Sequence, residues 1–148
     1  FILKDINGKV ILLGPDLPKD LDVPYNVHIK GFTEDISSVM SNSKICLVPV
    51  WYGAGLQNKV FDALKYGCKV ITTEFTVHNM GMNNFHSKSM VPAFDILKET
   101  NTALFNYSEK DAIEAYETYS RFYKQASKQT EQYVQKVAAL CESKGDTQ

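Results

Sequence analysis

Lys59 and Asp62 stand three residues apart just beyond two glycines, in the run Gly53-Ala54-Gly55-Leu56-Gln57-Asn58-Lys59-Val60-Phe61-Asp62-Ala63. Glycine lets backbone N–H groups approach an anion. The first turn of a helix leaves its own N–H groups unpaired at the positive end of the helix dipole. A lysine inside that turn adds a mobile cation, and a carboxylate one turn further on can face the same ligand. Phosphate or diphosphate binding is the chemistry that suits such a set. The spacing is neither the Walker pattern nor G-x-G-x-x-G. Small turns join strands to helices in every α/β protein, so a purely structural turn stands beside the anion site as a reading. Open α/β sheets do bind ligands at the carboxyl ends of their strands.

The elements that must position these residues follow from the apolar patterning. Ile45 to Val50 reads as a strand, the turn follows, and a helix runs from Leu56 to Tyr66 before Gly67. Lys69 to Thr73 is the next strand. Upstream, Phe1 to Ile6 closes a helix at Asn7-Gly8, and Val10 to Leu13 is a buried strand ending in the turn Gly14-Pro15-Asp16. Leu17 to Pro24 is loop, Asn26 to Gly31 a short alternating strand, and Asp35 to Ser43 a short helix with Ile36, Val39 and Met40 on one face. Phe75 to Pro92, rich in Asn, His, Ser, Met and Gly, reads as a long irregular loop, and Ala103 to Asn106 as a terminal strand. Ser108 to Asp111 resembles a capping box that opens a helix with Ile113, Tyr116 and Tyr123 on one face. The polar patch Gln125 to Gln132 suggests a kink or a second helix, and Tyr133, Val134, Val137 and Leu140 resume the period. The tail from Lys144 is expected to fray. Strands and helices alternating over short connections predict an α/β fold with a parallel sheet covered by helices on both faces.

The chain has 148 residues, enough for one domain with a substantial core, and its hydrophobic (44%) and charged (22%) contents are those of a globular protein. A formal net charge of -1 argues against a nucleic-acid partner. Cys46, Cys68 and Cys141 have no metal-ligand spacing and read as reduced thiols, the first two buried. No apolar run reaches membrane-spanning length. The chain opens without methionine, in what reads as the tail of an element already under way, and is expected to be a piece of a longer protein.

Three phrases in order resemble one family, the retaining nucleotide-sugar-dependent glycosyltransferases of the GT-B fold, family 4. They are Val10-Ile11-Leu12-Leu13-Gly14-Pro15-Asp16, Val27-His28-Ile29-Lys30-Gly31-Phe32-Thr33-Glu34-Asp35-Ile36, and the Gly53 turn continued through Ala63-Leu64-Lys65-Tyr66-Gly67-Cys68-Lys69-Val70-Ile71-Thr72-Thr73. The resemblance implies a single Rossmann-like domain over residues 1–148, the donor-binding C-terminal half of a GT-B fold ending in C-terminal helices. The N-terminal acceptor domain and the first strand and loop of this domain would be absent, so the chain alone is expected to be inactive. Carried over by residue, Asp62 takes the place of the acidic residue that accepts ribose hydroxyls. Ala54 stands where a second acidic residue normally meets the sugar. Gly53, Gly55 and Leu56 match the turn facing the diphosphate or sugar, Asn58 and Lys59 the polar pair of a family variant, Gly31 and Phe32 the turn where the base packs, and Gly14 the border of that cleft.

The implied reaction is hexosyl transfer from a UDP- or GDP-sugar to a polysaccharide or glycolipid. No catalytic residue is assigned, and no cofactor and no metal are expected, since the helix dipole and Lys59 can meet the charge on the diphosphate. The implied partners are the donor and the missing N-terminal domain. The implied setting is cytoplasmic, with peripheral association of the full-length enzyme at a membrane face. A non-catalytic nucleotide- or protein-binding module and a sugar-nucleotide epimerase are the alternatives.

Other residues keep two readings. Asp62 and Lys59 could be solvated helix charges. His28 reads as structural on its alternating strand, and His78 and His86 lack metal spacing. Thr73 and Glu74 follow a strand end where a donor contact is open to them. Trp51 and Tyr52 either line the pocket or pack in the core. Tyr116, Tyr119, Phe122 and Tyr123 read as a packing stripe whose partial exposure would drive self-association.

Overall fold

The computed structural model describes residues 2–18, 20–53, 57–81 and 88–145. A 3-10 turn (Ile2–Asp5) leads into strand β1 (Val10–Leu13), and β2 (Val27–Gly31) pairs with it in parallel. Helix α1 (Ile36–Ser41) crosses to β3 (Ile45–Val48). Then follow α2 (Asn58–Lys65), β4 (Lys69–Thr72), α3 (Glu74–Asn79), β5 (Met90–Pro92), α4 (Ile96–Asn106) and α5 (Glu109–Gly145). Among the described residues all paired strands are parallel, and they form two sheets, β1-β2 and β3-β4-β5.

The larger sheet is buried on both faces because its strands alternate between two cores. Val48, Val70 and Met90 meet Val60, Ala63 and Leu64 of α2 and Ala115 of α5. Ile71 points the other way, to Ala93 and Ala103, with Ile45, Leu47 and Val91 packed around them. Continuous apolar runs are what a strand covered on both faces requires. Gly67 ends α2 with φ +83, and a Cβ there would come within 3.2 Å of the Ala112 Cβ. Glycine therefore permits both the left-handed turn and the close passage of α5. The Phe61 and Phe122 rings meet across the same α2–α5 seam, tilted by 37° with centroids 4.7 Å apart.

The β1–β2 pair enters neither core cluster. Its ties are local and polar. The Asn26 side-chain amide donates to the carbonyls of Leu3, Ile6 and Gly8. Asn101 on α4 accepts from the Asn7 N–H and donates to the Asp5 carbonyl. Among the described residues β1 pairs only with β2 and β3 only with β4, so each leaves one edge open.

Four sequence expectations are corrected. The stretch Phe75 to Pro92 is not one irregular loop: Thr73 caps α3 by accepting from the Thr76 N–H, and Met90–Pro92 forms β5. A six-residue helix is too short to declare a period. Proline, having no N–H, is tolerated at the free end of β5. Ala103 to Asn106 is the last turn of α4 rather than a strand, because Asp95 caps that helix and Thr100 and Ala103 face the sheet. The polar patch Gln125 to Gln132 neither kinks nor breaks α5, which runs 37 residues. Its Gln, Ala, Ser, Lys, Thr and Glu side chains include no glycine or proline. His28 is exposed rather than packed inside, and among the described residues neither core cluster reaches the small sheet.

Candidate functional site

Helix α2 differs from its neighbours at its N-terminus. Side chains cap α1, α3 and α4: Asp35, Thr73 and Asp95 each accept a first-turn N–H. At α2 the capping position is Gln57, whose side chain makes no cap bond, while its carbonyl accepts from the Val60 N–H at 2.8 Å. Among the described residues no side chain takes the remaining first-turn donors, which sit at the positive end of the helix dipole.

This end of α2 stands at the carboxyl end of β3. Gly53 holds φ +127 and Gly31 φ +70, and a Cβ on either, or on Gly14, would meet nothing within 4 Å. Backbone conformation rather than crowding calls for glycine at 53 and 31, and the space beside all three is open. Gly14 donates its N–H to the Gly31 carbonyl at 3.1 Å, which joins the ends of β1 and β2. Phe32 follows with its ring exposed. Ala54, Gly55 and Leu56 lie outside the described residues, as does His86.

Asn58 and Lys59 are exposed and Asp62 is half-buried. Among the described residues the only ion pair joins Lys69 to Asp111 at 3.2 Å, so neither Lys59 nor Asp62 is committed to one. Burial pushes the Cys46 thiol up to about 11, with Lys59 pulling it down and Asp62 pushing it further up. Cys68 is pushed up to about 12, first by burial and then by Cys46, and its Sγ donates to the Met40 and Ser43 carbonyls. Both thiols are free and stay protonated at neutral pH, which suits packing rather than nucleophilic chemistry.

Thr73 is removed from the candidate contacts. It is buried, caps α3, and its hydroxyl donates to the Val50 carbonyl. Glu74 beside it is exposed. Trp51 and Tyr52 are not core residues: their exposures are 57% and 86%. On α5 the two readings of the aromatic stripe divide by residue. Tyr119 and Phe122 pack against the core, while Tyr116 and Tyr123 stand open, with Tyr119–Tyr123 centroids 6.0 Å apart.

Sequence reasoning missed Asn79, whose side-chain amide donates to the Gly53 carbonyl at 3.4 Å, and Thr72, whose hydroxyl donates to the Val48 carbonyl at 2.8 Å. Nothing local marks Asn79, since its partner lies 26 residues away. An open groove along α5, lined by Lys88, Lys110, Glu114, Arg121 and Lys124 among others, shares no residue with the β3–α2 turn. Among the described residues no three His, Cys, Asp or Glu side chains gather to hold a metal ion, and no helix is long and apolar enough to cross a membrane.

Compared with known proteins, residues 3–104, more than half of the chain, match the model of the family described as glycosyl transferases group 1. No curated protein and no solved structure matches the chain.

Proposed function

Since the chain belongs to the group 1 glycosyl transferases, we propose that it is the donor-binding half of a GT-B enzyme that moves a hexosyl group from a UDP- or GDP-sugar to a polysaccharide or glycolipid. The observation that carries this reading is the α2 N-terminus. It lacks a side-chain cap and has Lys59 and Asp62 one turn apart beside open strand ends.

In the reaction the bond from the anomeric carbon to the diphosphate oxygen breaks. A bond to an acceptor oxygen forms on the same face, and the acceptor's proton leaves. The barrier falls when the charge developing on the diphosphate meets oriented donors and a cation. The α2 N–H groups and Lys59 serve that purpose, so the reading needs no metal. The Asp62 carboxylate accepts the ribose hydroxyls, and Gly31 and Phe32 border the base.

The two open edges support the domain reading. One further parallel strand between β1 and β3 would make a single sheet of order β2-β1-X-β3-β4-β5, a Rossmann-type arrangement whose ligand crevice falls at the switch point beside X. The acceptor domain would close that crevice from above, and the full-length enzyme would work on the cytoplasmic side, at a membrane face.

Calorimetric titration of the chain with UDP, GDP and their sugars tests the reading. Binding that weakens at least tenfold in Asp62→Ala and Lys59→Ala is the expected result. Binding indifferent to both substitutions would remove the α2 site, and no binding at millimolar nucleotide would favour an interaction module.

A further inference from the structure

We infer that Trp51 and Tyr52 form a stacking platform for the pyranose ring of the donor, an inference that rests on the donor-site reading above. Both rings stand at the carboxyl end of β3 and belong to neither core cluster. The backbone that carries them is nonetheless held on both sides. Thr73, itself 1% exposed, donates its hydroxyl to the Val50 carbonyl, and Asn79 donates to the Gly53 carbonyl. Two large aromatic side chains kept in solvent on a tethered backbone lose little further freedom when a flat partner covers them. Core packing therefore gives no reason for their size, and a ligand at the strand ends does.

The strand order proposed above says which part of the ligand. Phe32 follows β2, the outermost strand in that order, whereas Trp51 lies shortly beyond β3, on the other side of X and next to β4. With the diphosphate at the α2 N-terminus and the base beside Phe32, the β3 end is left for the sugar. A pyranose ring has a face of C–H groups that carries little hydrogen bonding of its own. The negative face of an indole or phenol ring attracts those polarised hydrogens and removes apolar area from water. Position 54 makes such a grip useful, because alanine offers nothing to a sugar hydroxyl. The platform gives affinity for the ring, and the hydroxyl pattern is read elsewhere.

Trp51 is the only tryptophan in the chain, so its emission reports on the platform alone. The test titrates the 148-residue chain with UDP, UDP-glucose, GDP and GDP-mannose, following tryptophan emission and, separately, heat. At least one sugar nucleotide is expected to change the emission while its parent diphosphate does not. Trp51→Ala is expected to weaken that sugar nucleotide about five- to tenfold and leave the diphosphate unchanged, with Trp51→Phe retaining most of the affinity. Because the ring is exposed, an unchanged melting temperature should accompany the variant. Equal weakening of diphosphate and sugar nucleotide would overturn the assignment to the sugar. Calorimetric binding with no change in emission and none in Trp51→Ala would overturn the platform while leaving the donor site standing. Absence of any calorimetric binding would remove both.

Discussion

Strands β1 and β4 are alike in length and β1 is the more apolar, Val10-Ile11-Leu12-Leu13 against Lys69-Val70-Ile71-Thr72, yet β4 is the one that is buried. Three of the four β4 residues are buried, and none of β1 is. β4 has a parallel neighbour on each edge, α2 and α5 over one face and α4 over the other. β1 has one neighbour, and Ile11 on β1 and Ile29 on β2 remain exposed. Burial is a property of what is laid beside a strand, and β1 has the residues of an interior strand without the neighbours of one. The small sheet relies on polar ties from Asn26 and Asn101, and the large one on close packing.

That contrast can be broken or sharpened by measurement. Leu64→Ala, at a fully buried position under β4, should cost about 2–5 kcal/mol in urea unfolding, while Leu12→Ala on half-buried β1 should cost about 1 kcal/mol. Equal losses would mean that the two sheets are equally packed. Asn26→Ala leaves the Leu3, Ile6 and Gly8 carbonyls without their donor and should cost about 1–3 kcal/mol. Hydrogen exchange should show the loss at β1 and β2 while the β4 amides keep their protection. Spread of the effect to β4 would unite the sheets into one cooperative unit.

Thr72→Val removes a buried hydroxyl bond to the Val48 carbonyl without changing shape and should lower stability by about 1 kcal/mol. Asp111 gives the smallest effect. Burial pushes its carboxyl up, but bonds from the Ser108 N–H and hydroxyl, with Lys69 beside it, hold it below its ordinary 3.8. A depressed native value means that this stabilisation is complete above the unfolded value and is lost as pH falls through the native one. Acid titration of stability should therefore flatten slightly below pH 3.8 in Asp111→Asn, by less than about 1 kcal/mol.

How much could be read in advance depended on the range of the interaction. The strands at Val10, Val27, Ile45 and Lys69 show as apolar runs, and α1 and α2 show as periods between them, because those signals are local. The turn at Gly53 was visible for the same reason: glycine, lysine and carboxylate are spaced by the helix itself. The short helix α3 and the strand β5 were hidden, since few residues carry no period and Thr73 caps α3 with an ordinary threonine. Ala103 to Asn106 looked like a strand because only its place beneath Ile71 makes Ala103 a buried helix residue. Thr73 had a donor contact open to it by sequence, and only the fold places its hydroxyl on the Val50 carbonyl.

The sequence by itself determined the α/β class, the parallel strands and the residue types at the mouth of α2. All of these follow from side-chain periodicity and from what glycine and a helix N-terminus do to a backbone. Tertiary structure alone decided that the strands fall into two sheets with open edges at β1 and β3 and that Trp51 and Tyr52 stay in solvent. It also left α2 as the helix without a side-chain cap at the strand ends. Those outcomes depend on which elements lie against one another, and pairing across tens of residues leaves no trace in the local pattern.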